Sequence, residues 1–268
     1  MLTKTKQIKL LDALKTYNKK FLSGKLTELD ESGTRLMINF FLTEVLGFTP
    51  IEEVKTEYMI RGTYADYVIQ IRGVRQLLVE VKSLSLVLSD KHLRQAINYG
   101  ANEGIEWALL TNGRQFDLYK IFFNKPIESR LVFSIDLSDS LQLKNCIEVL
   151  QFMHRDSVLD KGLDRLWNKK VALDPKNVAG LLYTTPVLNF IKRQLSKKYR
   201  NAFTDEEVEN SINRVVSEEI PVEEIKHFRV KKVKRKSNFN DTSRENQEIK
   251  SALPILSKPS IEKPNKIL

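Results

Sequence analysis

Cysteine is nearly absent from this chain, and its scarcity excludes two classes of protein. Cys146 is the single cysteine among 268 residues, so the chain has neither an internal disulfide framework nor a cysteine-rich zinc module. The three histidines, His92, His154 and His227, are too far apart in sequence to form a metal motif. We therefore expect a protein of a reducing compartment, the cytoplasm.

Glycine-rich phosphate loops and long apolar runs are also missing. The ten glycines form neither a Gly-x4-Gly-Lys-Ser/Thr loop nor a Gly-x-Gly-x2-Gly turn, so nothing indicates an ATP motor or a dinucleotide enzyme. No apolar run approaches the roughly 20 residues of a membrane-spanning helix. The start of the chain carries Lys4, Lys6 and Lys9 and lacks the apolar core of a secretion signal. We expect no membrane partner.

Positive charge is in excess, with a formal net charge of +10. Such an excess favours polyanions, either nucleic acid or an acidic membrane surface, and composition alone does not choose between them. The densest basic run, residues 226–236, has seven positive charges and no negative one. This run is either a solubilising tail or a phosphate attachment whose binding falls steeply with salt.

Hydrophobic periodicity predicts an α/β core followed by helices and a disordered tail. We expect an α/β domain over 1–138, a helical region over 139–220 and a basic, disordered tail over 221–268. Two helices are predicted before the strands, at 5–21 and from Thr27 or Asp30 to Leu46, and a third from Ser89 or Asp90 to Ala101. After the strands, helices are predicted at 141–153, 163–167 and 175–199, the last with a break at Pro186. A capping box at Thr204 begins one more helix. The predicted strands are Thr56–Ile60, Tyr64–Ile71, Gln76–Leu84, Glu106–Thr111, Arg114–Ile121 and Leu131–Leu137.

The strand Gln76–Leu84 places an acid and an amine side by side in an apolar segment. Because alternate side chains of a strand point to opposite faces, Leu77, Val79 and Val81 share one face and Glu80 and Lys82 share the other. The pattern Glu-x-Lys occurs four times in the chain, but only this copy lies in an apolar strand. Taken alone, the pair is either an ion pair on a solvated sheet face or part of an active site.

A carboxylate on the preceding strand strengthens the second interpretation. Asp66 points away from its strand's apolar side chains, so Asp66 and Glu80 could converge on one hard cation, with the carbonyl of Val81 as a further ligand. Lys82 could stabilise the charge that develops on a phosphate, and Glu31 could supply a third carboxylate.

The ordered set of motifs resembles the PD-(D/E)xK nuclease superfamily, and more narrowly the N-terminal nuclease domain of type I restriction enzyme endonuclease subunits. The resemblance covers about residues 25–122 and rests on Glu31-x2-Thr-Arg35, Leu46-Gly-Phe48, Arg61-Gly-x3-Asp66-Tyr67, Val79-Glu-Val-Lys82, Gln95-x3-Tyr99 and Trp107-x-Leu-Leu-Thr-Asn-Gly113. The resemblance implies that the domain predicted over 1–138 is PD-(D/E)xK nuclease-like. Its restriction-endonuclease-like core, a mixed sheet flanked by helices, would cut DNA with Mg²⁺, or with Mn²⁺ in its place.

The same resemblance assigns roles to individual residues. Asp66 and Glu80 would ligate the metal, Lys82 would support catalysis, and Gln95 and Tyr99 would line the site from one helix. Ala65 stands where many members of the superfamily have a proline. The type I subunits carry an ATP-driven translocase after the nuclease and this chain has none, so translocation is not implied.

Each assignment has a structural alternative. Asp66 could cap a turn, and Glu31 could simply favour a helix N-terminus. Gln95 and Tyr99 could be an ordinary half-buried helix face. Two arginines, Arg35 and Arg61, could contact phosphates or form structural salt bridges.

The function has alternatives as well. A protein of this fold could be a catalytically inactive DNA-binding or assembly module. It could also be one subunit of a restriction system whose motor and methylase are separate chains. Titration with Mg²⁺ separates a nuclease from a binding module, because only the nuclease needs the cation.

Overall fold

The computed structural model describes residues 1–24, 28–60 and 62–217, and for Thr63 the backbone alone. Three features named from the sequence lie outside these residues. They are the alternative helix start at Thr27, the side chain of Arg61 and the tail 221–268 with its basic run.

Two helices precede the sheet, and each continues into one turn of π-helix. Helix α1 spans Lys4–Tyr17 and helix α2 spans Glu31–Phe40, followed by π-turns at Asn18–Leu22 and Phe41–Val45. Asp30, one of the two predicted caps, begins α2, since its carboxylate accepts a hydrogen bond of 2.7 Å from the Gly33 N–H.

The sheet has six strands, as the period-two pattern predicts, and the structure shows that they lie in chain order. They are β1 Val54–Ile60, β2 Thr63–Ile71, β3 Val74–Val81, β4 Trp107–Thr111, β5 Gln115–Phe122 and β6 Glu128–Asp136. All neighbours pair antiparallel except β3 and β4, which are parallel and are connected by helix α3, Asp90–Glu103. A parallel pair needs such a crossover, because a tight turn can only reverse the chain.

Helices cover both faces of the sheet, so the strands are buried on both sides. One face packs against α1, α2 and the helices after the sheet, and the large main core there includes Val79 and Val81. The other face carries a second core under α3, formed by Ile60, Ala65, Val68, Leu78, Ala96, Tyr99, Ile105, Ala108 and Ile121. This architecture is the α/β, restriction-endonuclease-like core predicted from the sequence.

The helical region after the sheet has two parts. The helices are α4 Leu143–Met153, α5 Arg155–Val158, α6 Gly162–Ala172, α7 Pro175–Leu182, α8 Thr185–Tyr199 and α9 Asp205–Val216. The first three contribute side chains to the main core. The last three form a third core of their own, built on Ala179, Leu188, Val208, Ile212 and Val216.

Local signals explain where these last helices begin. Pro186 lies in the first turn of α8, where its missing N–H leaves no hydrogen bond unmade, and the predicted break separates α7 from α8. The Thr204–Glu207 capping box opens α9 as predicted. No helix in the described part of the chain is long and apolar enough to cross a membrane.

Candidate active site

Strands β2 and β3 place Asp66 and Glu80 on the same side of the sheet. The register pairs Tyr67 with Val79 and Val68 with Leu78, and its continuation by one residue sets Asp66 opposite Glu80. The Val81 N–H donates a hydrogen bond of 2.8 Å to Asp66 Oδ2. The predicted shared face of the two carboxylates is therefore confirmed, with the aspartate side chain bonded to the end of β3.

This side of the sheet is covered, not solvated. Asp66 is 7% exposed, Glu80 1% and Lys82 9%. Lys82 Nζ lies 2.6 Å from Glu80 Oε1 and 3.8 Å from Glu31 Oε2. The Glu80–Lys82 ion pair is therefore buried and does not lie on a wet sheet face.

One oxygen of Glu80 has no partner. Oε2 is buried and accepts no hydrogen bond from any residue that the structure describes. A buried polar atom without a partner costs about 1–3 kcal/mol, and more when it carries charge. Such an oxygen is suited to a proton or to a cation, so the residues present fit a metal ligand at this position.

Burial shifts the pKa values of Glu80, Asp66 and Lys82. It raises the pKa of Glu80 to about 7. The hydrogen bond from Lys82 opposes this rise, and the negative charge of Asp66 adds to it. Burial also raises the pKa of Asp66, although the Val81 N–H and Arg35 oppose it. For Lys82, burial lowers the pKa, but Glu80 and the other nearby carboxylates raise it more, so the amine stays protonated.

Arg35 of α2 pairs with the site's acids. Its Nε lies 2.6 Å from Asp66 Oδ1, its Nη2 lies 3.0 Å from Glu31 Oε1, and its Nη1 lies 3.7 Å from Glu57 Oε1. The Tyr67 hydroxyl donates a hydrogen bond of 2.6 Å to the Arg35 carbonyl, which ties α2 to β2. The guanidinium therefore acts as a structural counter-ion, and a cation at Asp66 would have to compete with it.

Glu31 is held by cations on both sides, Arg35 and Lys82. Over residues 1–24, 28–60 and 62–217, no group of three or more His, Cys, Asp or Glu side chains is arranged to hold a metal ion. The structure therefore brings Asp66 and Glu80 to one face and does not add Glu31 to them as a set of ligands. A ligand role for Glu31 stays a prediction.

Helix α3 forms one wall of an open cleft beside Lys82. Gln95 Nε2 donates a hydrogen bond of 3.1 Å to the Tyr99 hydroxyl, as their four-residue spacing predicts. The cleft has a volume of ≈ 840 Å³. It is lined by Glu31, Ile60, Lys82, Ser83, Leu86, Lys91, His92, Arg94, Gln95, Asn98, Tyr99 and Asn102.

His92 is a cleft residue that the sequence leaves among ordinary surface residues. Its imidazole completes a capping box with Ser89 at the start of α3. Burial, followed by the positive charges of Lys82 and Lys91, lowers its pKa. The spacing of His92, Gln95 and Tyr99 at i, i+3 and i+7 is the signal that could have placed the histidine on this face.

Comparisons with known proteins leave the family open. No family model matches the chain. No curated protein matches it either. A solved structure of the type IIG restriction endonuclease BpuSI is similar at 22% identity and a TM-score of 0.30, over 57% of this chain and 17% of that enzyme. The chain thus spans about a sixth of the length of that enzyme, and membership of the type I subfamily stays a prediction.

Proposed function

We propose that the protein is a metal-dependent deoxyribonuclease that hydrolyses phosphodiester bonds in DNA as part of restriction or a related defence. The observation that carries the proposal is the buried Oε2 of Glu80, which accepts no hydrogen bond from the described residues. It lies beside the protonated amine of Lys82 and on the same face as Asp66. The arrangement joins acidic metal ligands to a fixed positive charge, which phosphate chemistry requires.

The residues of the chain have distinct tasks in this proposal. Asp66 and Glu80 would hold the cation, with the Val81 carbonyl as a further oxygen ligand. A bound Mg²⁺ or Mn²⁺ would supply a Lewis acid for the phosphate and an activated water. Lys82 keeps its proton, so it can offer positive charge to the phosphate and does not serve as a base.

Groups around the cleft would position the substrate. Gln95 and Tyr99 present an amide and a hydroxyl from one helix face, next to Lys82. Glu31, whose Oε2 lies 3.8 Å from Lys82 Nζ, would help to keep that amine in place. The net charge of +10 favours a polyanion such as DNA over a neutral or cationic substrate.

The test is cleavage of methylated and unmethylated plasmid with and without Mg²⁺. We expect Asp66→Asn and Lys82→Met each to lower the cleavage rate by about 100-fold or more, the scale for loss of one group that stabilises the transition state. Asparagine keeps an oxygen for the Val81 N–H, so the variant separates lost chemistry from lost packing. Asp164→Asn on α6, outside the cleft, is the control. A wild-type cleavage rate in either site variant would contradict the assignment of the active site.

The competing proposal is a DNA-binding or assembly module without hydrolysis. The close pairing of Arg35 with Asp66 favours it, because a guanidinium already balances that carboxylate. Isothermal titration with Mn²⁺ separates the two, since a pure binding module shows no saturable cation site. If cleavage needs further restriction subunits, it will arise only when the motor and methylase chains are added.

A further inference from the structure

The outer surface of α3 carries a polar stripe that the nuclease chemistry does not use. The stripe consists of Lys91, Arg94, Asn98 and Asn102, spaced by three or four residues and therefore on one side of the helix. All four side chains are exposed, and all four line the ≈ 840 Å³ cleft that also contains Lys82.

The donors of this stripe are free. None of the four side chains makes a hydrogen bond or an ion pair with the residues that the structure describes. By contrast, Lys82, Gln95 and Tyr99 in the same cleft are engaged with protein partners. The stripe has two positive charges and two amides and includes no acid, so its chemistry is complementary to a polyanion with oxygen acceptors.

The dimensions of the stripe match a short segment of a nucleic acid strand. From Lys91 to Asn102 there are eleven helical steps, or about 16 Å at a rise of 1.5 Å per residue. Measured along the axis of a duplex, successive phosphates of one strand are about 3.4 Å apart, so the stripe spans about five nucleotides.

We propose that the α3 stripe is the surface that binds the DNA backbone beside the candidate active site, with Lys91 and Arg94 on phosphates and Asn98 and Asn102 on phosphate, sugar or base-edge acceptors. The identity of the polyanion rests on the function proposed above. The binding surface itself rests on exposure, spacing and unpaired donors. DNA would then be bound by this helix, and binding would be separable from hydrolysis at Asp66 and Glu80.

Salt dependence gives a quantitative test. The affinity for a fluorescently labelled duplex is measured by anisotropy, without divalent metal so that no cutting occurs, over a series of salt concentrations. Each phosphate contact contributes about 0.9 to the slope of log affinity against log salt. The double variant Lys91→Gln/Arg94→Gln should therefore have a slope shallower by about 1.8 than the wild type.

A matched variant controls for net charge. Lys144 and Lys169, on α4 and α6, are also exposed and make no hydrogen bond or ion pair with described residues. The double variant Lys144→Gln/Lys169→Gln loses the same two charges and should keep the wild-type slope. An equal reduction in both variants would show that only overall charge matters and would overturn the proposal.

The amides make a second, independent prediction within the same experiment. Asn98→Ala/Asn102→Ala removes uncharged contacts, so affinity should fall by roughly 5- to 10-fold, as for one or two hydrogen bonds, with the slope unchanged. Unchanged affinity in both stripe variants, or no DNA binding by the wild type, would overturn the inference. A protein that binds in this manner but never cuts DNA with Mg²⁺ would refute the hydrolase proposal alone.

Discussion

At the scale of single residues, Glu80 decides how the site responds to pH. The residue is 1% exposed, and burial raises the pKa of its carboxyl to about 7, whereas Lys82 beside it remains charged. Near neutral pH the carboxyl therefore exchanges a proton with solvent. A metal ligand must be deprotonated, so cation binding and proton release are coupled at this residue.

The coupling predicts the pH dependence of metal binding. Mn²⁺ affinity should rise up to about tenfold per pH unit between pH 6 and 7 and level off above pH 7, because one proton leaves Glu80. Calorimetric titration in two buffers of different ionisation enthalpy measures that proton. Glu106→Gln, an exposed acid outside the cleft, should leave the proton count unchanged. Affinity that is independent of pH would contradict the coupling.

The raised pKa of Glu80 also determines how the stability of the metal-free protein changes with pH. The pKa of Glu80 rises from its ordinary value of 4.5 to about 7 on folding, so the folded chain holds this proton more tightly than the unfolded chain. The contribution of Glu80 to stability is then complete below pH 4.5 and is lost as the pH rises through 7. Occupation of the site by a cation would remove this loss at high pH.

The sequence predicts the identity of these groups better than their pairing. Asp66, Glu80 and Lys82 follow from strand alternation, which is a local rule. Arg35 is different, since a guanidinium pairs equally well with a carboxylate or a phosphate. Its contact with Asp66 depends on the packing of α2 against β2, and no local pattern encodes that distance.

At the scale of elements, the position of α3 depends on Gly100. A Cβ built at this residue would lie 2.5 Å from Ile121 Cδ1 and 2.8 Å from the Ile105 carbonyl oxygen. The glycine is needed for close approach of the helix to the sheet, not for an unusual backbone conformation. This approach seats Tyr99, and with it Gln95, in the cleft wall.

Gly100→Ala should therefore destabilise the protein. Alanine gains up to about 1 kcal/mol of helix propensity, but overpacking typically costs about 1–3 kcal/mol, and the Ile105 carbonyl is backbone that cannot turn aside. We expect a net loss of about 1 kcal/mol in the free energy of unfolding, measured by urea denaturation. Asn102→Ala, two residues along on the exposed face, should change stability by less than about 0.5 kcal/mol. A stabilised Gly100→Ala variant would show that α3 is not closely seated.

Element order is predictable from the sequence, and element ends are less so. Alternation predicts all six strands, but the expected end of β3 at Leu84 is wrong, because β3 ends at Val81. There the Val81 N–H bonds to the Asp66 carboxylate, a contact fifteen residues apart in sequence. The predicted strand bounds leave four residues between Ile71 and Gln76, but the connection has only two. Arg72 and Gly73 are both at positive φ in a two-residue hairpin loop.

At the scale of the whole molecule, helical pattern alone does not show where a core ends. Helices α4 and α7 are similarly amphipathic, yet α4 belongs to the main core and α7 belongs to the third core. Sequence periodicity identifies an apolar stripe without identifying the surface against which it packs. For this reason periodicity predicts a single helical region over 139–220, and the cores show that its described helices contribute side chains to two different cores.

The separation of the cores predicts independent opening of α7–α9. Leu188 is 5% exposed in the third core. A Leu→Ala change in a core costs about 2–5 kcal/mol of stability. That loss is a large part of the stability that a core of so few buried side chains can supply. Leu188→Ala should therefore speed hydrogen exchange across residues 175–216 and leave exchange in β2 and β3 unchanged. Mn²⁺ affinity should also stay the same, because Asp66 and Glu80 lie on β2 and β3, whose buried side chains belong to the other two cores. Phe190→Ala, on the same helix but 55% exposed, is the matched control and should change little. Faster exchange in the sheet as well would mean that the three cores unfold as one cooperative unit, and that the C-terminal helices help to hold the candidate active site together.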